Sequence, residues 1–203
     1  MLLTHFPPTA LSAEGAILVV GDSLSSGYGL PDEQHSWVAL LERRLVEQGY
    51  GHEVVNASIS GDTTAGGLAR LPGLLDRHDP QIVILELGGN DGLRGLPIPT
   101  MRSHLEEMIR LAQQSGAHVL LTGIRMPPNY GPAYTEAFEA VYPELAAAHD
   151  VPLVSFLLEG VALDRSLMQA DGVHPNVDGH AVMFENVWGV LEGMLAPASG
   201  TEP

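Results

Sequence analysis

Ala16-Ile17-Leu18-Val19-Val20-Gly21-Asp22-Ser23-Leu24 decides the fold of this chain: a run of apolar residues of strand-forming type passes directly into a glycine-led turn that carries a serine. An unbroken apolar run suits a strand covered on both faces, the condition of a parallel sheet packed between helices. The pattern recurs downstream. Ser36 to Gln48 puts Trp37, Leu40, Leu41 and Leu45 on one helical face and stops at Gly49. Val54-Val55 reads as a second strand, a helix runs through Leu68, Leu71, Leu74 and Leu75, and Ile82 to Leu85 is a third strand. Leu105, Met108, Ile109 and Ala112 mark a helix ended by Gly116, and His118 to Ile124 reads as the fourth strand. A helix through Ala137, Val141, Leu145 and Ala148 leads to a fifth strand at Pro152 to Leu157, and the last helix carries Val182, Val187, Val190 and Leu191. The expectation is one three-layer α/β/α domain with a five-stranded parallel sheet over residues 16–195. A loose leader or processing remnant at 1–15 precedes it and a tail at 196–203 follows.

Composition narrows the chemistry. The chain has 203 residues, 45% of them hydrophobic, enough to bury a substantial core. No apolar run reaches the roughly 18 residues a membrane span needs, so no stable membrane insertion is expected. There is no cysteine, hence neither a disulfide framework nor a thiolate site. The net charge of -16 arises from 25 Asp+Glu against only 9 Lys+Arg, and all the cations are arginine. Without lysine there is no P-loop clamp, Schiff base or Ser-Lys dyad. The acidic balance also speaks against nucleic acid as a partner, which requires a basic footprint. Residues 1–15 lack the cationic start of a signal peptide.

Two short motifs then carry the chemistry, Gly21-Asp22-Ser23-Leu24 and Asp171-Gly172-Val173-His174. A serine hydroxyl is a poor nucleophile until an imidazole takes its proton, and a carboxylate improves that imidazole by fixing its tautomer. In open parallel sheets ligands bind beyond the carboxyl ends of the strands. Ser23 follows strand one, Gly61 lies beyond strand two and Asn90 follows strand three, so all three should converge on one edge. No serine sits in G-x-S-x-G, and His52-Glu53 lacks the second histidine of H-E-x-x-H. Neither metal nor cofactor is called for.

Four segments in order, Gly21-Asp22-Ser23-Leu24, Gly61 within Asn56 to Asp62, Gly89-Asn90-Asp91, and Asp171 with His174, resemble the SGNH (GDSL) hydrolase superfamily. Glu86 to Gly95 and Pro128 to Gly131 further resemble its bacterial thioesterase I/arylesterase/lysophospholipase branch. The resemblance spans Ala16 to about Leu195 and implies a flavodoxin-like fold. It implies Ser23 as nucleophile, His174 as base and then acid, and Asp171 as the group holding the imidazole. The oxyanion donors it implies are the backbone N–H groups of Ser23 and Gly61 and the side-chain amide of Asn90. It also implies a periplasmic or secreted enzyme acting on small ester substrates, whether aryl or alkyl esters, lysophospholipids or thioesters.

A carbohydrate acetylesterase of the same superfamily is the alternative enzyme, and a non-catalytic flavodoxin-like binding domain the alternative outside catalysis. Leu93, Arg94, Leu96 and Ile98 in one loop, with Arg125, Met126, Pro127 and Tyr130 in another, favour an apolar acyl pocket over a sugar site. The binding domain would leave Asn90, Asp171 and His174 unexplained. Asp22 and Asp91 read as loop-bonding residues and His180 as part of a helix start. Glu86 interrupts a buried strand, where an unpaired carboxylate is costly, and is expected to accept hydrogen bonds from the Gly88 to Asn90 loop or a neighbouring strand's loop. A monomer is expected.

Overall fold

The computed structural model describes residues 15–195. The readings of a leader and a tail fall outside them, Gly15 apart. Strands β1 (Ile17–Gly21), β2 (Val54–Asn56), β3 (Ile82–Glu86), β4 (His118–Thr122) and β5 (Leu153–Val154) form one sheet in the order β2-β1-β3-β4-β5. Every pairing is parallel, with Val19 opposite Asn56 on one side and Ile84 on the other. β1 and β3 are buried along their whole length, as their unbroken apolar runs require.

Helices cover the sheet. They are α1 (Ser23–Ser26), α2 (Trp37–Gln48), α3 (Thr64–His78), α4 (Gly89–Leu93), α5 (Ile98–Gln114), α6 (Pro132–His149) and α7 (Val177–Leu191). α2 packs with α7, while α5 packs with both α3 and α6, giving two helical layers. Local chemistry sets the helix ends. The Ser36 hydroxyl accepts from the Ala39 N–H at the start of α2, Gly49 closes that helix in the left-handed conformation, and Asn176 caps α7 through Gly179.

Four features differ from the sequence expectation. β4 ends at Thr122, two residues short of the expected Ile124. β5 is shorter than Pro152 to Leu157 because the chain leaves the sheet after Val154: Leu157 turns back to donate its N–H to the Gly123 carbonyl. Ser155 presses so closely on Gly123 that a Cβ there would lie 2.3 Å from its carbonyl oxygen. The segment after β3 is helical rather than a plain loop, since Gly89–Leu93 forms α4. Finally, α5 begins at Ile98, so Pro97 and Pro99 lie at a helix start, as Pro132 does in α6. Proline suits those positions because the first-turn N–H groups have no partner within the helix.

Candidate active site

Ser23 opens α1 one residue after Asp22, whose carboxylate accepts from the Leu24 N–H at 3.0 Å and so caps the turn. Its hydroxyl oxygen lies 2.9 Å from His174 Nε2, and His174 Nδ1 lies 2.7 Å from Asp171 Oδ2. The other Asp171 oxygen accepts the backbone N–H groups of Val173 and His174 at 2.9 and 3.0 Å. Both oxygens of that carboxylate are therefore occupied by donors. The bond from the imidazole, then those backbone N–H groups, hold its pKa down at about 2. The shift is strong for a side chain that is 42% exposed.

Asn90 sits in α4 and donates its amide nitrogen to Asp22 Oδ2 at 2.8 Å. Gly61 lies in the turn after β2 at φ +79°, a conformation that suits glycine. Two arginines hold that turn. Arg94 donates to the Gly61 carbonyl at 2.8 Å, joining the loops that follow β2 and β3. Arg70 pairs with Asp62 at 2.9 Å and also donates to the carbonyls of Ala57 and Gly21. Ser23, Gly61 and Asn90 thus lie beyond the carboxyl ends of their strands, as the sequence order implies, and His174 brings Asp171 to Ser23 from the loop before α7.

Beneath them Glu86 is fully buried at the end of β3. Its Oε2 accepts from the Asp22 N–H at 3.2 Å and the Ser25 hydroxyl at 2.6 Å, so its partners lie in the β1 loop, not in the Gly88 to Asn90 loop. Its influence on Asn90 passes through Asp22. Burial, reinforced by the Asp22 charge, pushes the Glu86 carboxyl well above its usual range, and burial raises Asp22 to about 6. Gly21 is glycine for this reason: a Cβ there would sit 2.7 Å from both Glu86 Oε2 and the Ser25 hydroxyl.

The pocket residues divide. Leu93, Leu96 and Tyr130 are exposed, and the Tyr130 hydroxyl donates to the Leu93 carbonyl at 3.2 Å, which joins the two loops. Pro127 is exposed beside them. Ile98 belongs to the first turn of α5 and packs against the core. Met126 is a core residue rather than pocket wall: it lies under Gly92, where a Cβ would come within 2.4 Å of its sulfur. Arg125 pairs with Glu139 at 2.7 Å and Glu159 at 3.3 Å and lies over the Phe156 ring, so its charge is spent locally. His180 is buried in α7, accepts from the Trp37 N–H at 3.2 Å, and is pushed by burial to about 4. Asp91 accepts both the N–H and the hydroxyl of Thr64, tying α4 to the start of α3.

A serine hydrogen-bonded to an imidazole that is itself bonded to a carboxylate, beyond the strands of a parallel sheet, defines the class of serine hydrolases with a three-layer α/β/α fold. Within it, residues 19–182 match the GDSL-like lipase/acylhydrolase family, and the chain belongs to that family. It is 52% identical over 187 residues to the esterase TesA of Pseudomonas aeruginosa, an alignment covering 92% of each chain. Identity to thioesterase 1/protease 1/lysophospholipase L1 of Escherichia coli K12 is 47% over 167 residues, covering 82% of this chain and 78% of that one. A crystal structure of TesA superimposes with a TM-score of 0.86 at 53% identity, covering 89% of this chain and 99% of the other.

The buried Glu86 makes a prediction about stability. A carboxyl whose pKa is raised by folding contributes its full share below its ordinary value of 4.5 and loses it as pH climbs toward the raised one. Glu86→Gln keeps the shape without titrating. The melting temperature of the variant minus that of wild type should therefore increase from pH 5 to pH 8, by about 2–4 °C for each ~1 kcal/mol of relieved burial. A difference independent of pH across that range would show that Glu86 does not titrate differently in the folded chain.

Proposed function

We propose that this family member hydrolyses small carboxylic esters through an acyl-Ser23 intermediate, acting as a monomer of one domain. The unbroken contact from Ser23 through His174 to Asp171, at 2.9 and 2.7 Å, is the observation that supports this most directly. His174 Nε2 takes the hydroxyl proton as Ser23 Oγ attacks the ester carbonyl, and Asp171 stabilises the resulting imidazolium. The tetrahedral oxyanion is met by the N–H groups of Ser23 and Gly61 and by the Asn90 amide. Collapse expels the alcohol, which leaves with the proton from His174. Water then attacks the acyl-enzyme, gives its proton to the same imidazole, and the acid departs with Ser23 restored. Every group required lies within one chain.

Exposed Leu93, Leu96 and Tyr130 form an apolar wall suited to an acyl or aryl group, which favours such esters over acetylated sugars. Cleavage of p-nitrophenyl butyrate by wild type but not by Ser23→Ala tests the reading. Loss should reach several orders of magnitude in kcat. Full turnover by Ser23→Ala would overturn it.

Asn90 is held by Asp22, and this gives a sharper test. In Asp22→Asn an amide NH2 would face the NH2 of Asn90, so one of the two must turn its carbonyl instead. If Asn90 turns, it offers the oxyanion an acceptor. We expect kcat to fall by roughly 10²–10³, the usual cost of one oxyanion donor, with KM little changed. An effect confined to KM would make Asn90 a substrate anchor.

The same reading orders acyl donors. Coenzyme A esters carry several negative charges, and the chain stands at -16. With Arg125 neutralised by Glu139 and Glu159 and Arg70 by Asp62, Arg94 is left to offset that field near the pocket. For equal chain length, kcat/KM should be higher for p-nitrophenyl hexanoate than for hexanoyl-CoA. Salt should narrow the gap, because screening acts over about 8–10 Å near physiological ionic strength. Faster thioester turnover at low salt that declines as salt is added would show that Arg94 outweighs the net charge.

A further inference from the structure

Ser23 and His174 come from opposite ends of the chain, and their direct contact is the bond that the proposed reaction consumes. Once Ser23 is acylated its hydroxyl proton is gone and His174 has lost that partner. Yet the imidazole must stay over the same carbon to activate water. Some other tie has to keep the two segments in register.

Gln169 has the geometry for it. Its backbone N–H donates to the His174 carbonyl at 2.7 Å. Its side-chain amide donates one bond to the Pro175 carbonyl at 2.9 Å and another to the Tyr28 carbonyl at 2.8 Å. The Tyr28 N–H in turn donates to the carbonyl of Ser23 at 3.2 Å. A single amide thus joins the segment that carries the base to the turn that closes the nucleophile's helix. The Tyr28 ring completes the junction by lying 4.7 Å, centroid to centroid, from the His174 imidazole. The fit is close. Gly29 sits at φ +74°, and a Cβ there would fall 2.2 Å from Gln169 Oε1.

We infer that Gln169 is a positioning residue for the hydrolysis assigned to Ser23 and His174, holding the imidazole in register with Ser23 through the acyl-enzyme stage, when their direct hydrogen bond is absent. The inference rests on the proposed function. It differs from a general stabilising role because neither of its carbonyl acceptors can be replaced by the reacting groups. A carboxylate at the same position could accept but not donate, and it would face two carbonyl oxygens.

Gln169→Ala and Gln169→Glu should each lower kcat for p-nitrophenyl butyrate about tenfold or more, with KM falling alongside so that kcat/KM changes less than kcat. Rapid mixing should place the larger loss in deacylation, seen as a burst of p-nitrophenol followed by a slower steady rate. Asn186→Ala is the control, since Asn186 also bridges two carbonyls through one amide, those of Leu157 and Glu159, but does not join Ser23 to His174. It should keep kcat at a temperature where all the variants are folded, even if its melting temperature falls as far. Wild-type kcat in both Gln169 variants, or an equal loss in Asn186→Ala, would overturn the inference while leaving the hydrolase reading intact. Ser23→Ala with full turnover would overturn both.

Discussion

A neutral-leaning carboxyl at the end of a buried strand organises this molecule's working edge. Glu86 closes β3 with no exposed surface, and its Oε2 receives the Asp22 N–H and the Ser25 hydroxyl. Those two donors flank Ser23. A buried carboxyl without such partners would cost several kcal/mol, whereas with them it fixes the first turn after β1 against the end of β3. Any other orientation of the turn would leave Glu86 Oε2 without these donors, so the position of Ser23 is tied to the folding of the sheet itself.

From that anchor two electrostatic environments diverge. On the buried side, Glu86 and Asp22 are both raised, and Asp22 passes its remaining acceptor oxygen to the Asn90 amide. On the solvent side, Asp171 is lowered to about 2 by bonds from the imidazole and two backbone N–H groups. The carboxyls thus serve opposite ends. All three carboxyls accept N–H or O–H donors; burial raises Glu86 and Asp22 in spite of them, while Asp171, 42% exposed, is left to its donors and held down. His174 lies between these environments, with its side chain 18% exposed.

The layers, the parallel sheet and four of the five strands were legible in the chain because runs such as Ile82 to Leu85 are apolar on both faces, and only a covered strand demands that. β5 was readable in position but not in length, since its end is set by the approach of Ser155 to Gly123, a contact between residues far apart in sequence. The three residues that gather beyond β1, β2 and β3, namely Ser23, Gly61 and Asn90, stood out through glycine-containing turns placed just after strands. Loops were harder. Met126 and Leu93 look alike in a sequence, and only the packing beneath Gly92 separates core from wall. Gln169 and Arg70 escaped notice because a single polar residue carries no periodicity; Gly29, held at positive φ beside Gln169, was the available hint.

The order of the strands explains why so many distant residues meet here. β1 lies between β2 and β3, so the chain leaves β1 in one direction to build β2 and returns past it to build β3. The loops at the carboxyl ends of β1 and β3 therefore part toward opposite sides and leave a crevice between them. Ser23 lines it from β1 and Asn90 from β3, with Gly61 reaching in from β2. None of these strands can deliver His174. It comes from the loop ahead of α7, the helix that packs against α2, and α2 is the crossover between β1 and β2. His180 accepts from the Trp37 N–H at that helix contact and fixes the first turn of α7 against the start of α2, six residues beyond His174. His174 is thus referenced to the βαβ unit that carries Ser23 at two depths: by His180 within the core, and by the Gln169 amide at the surface.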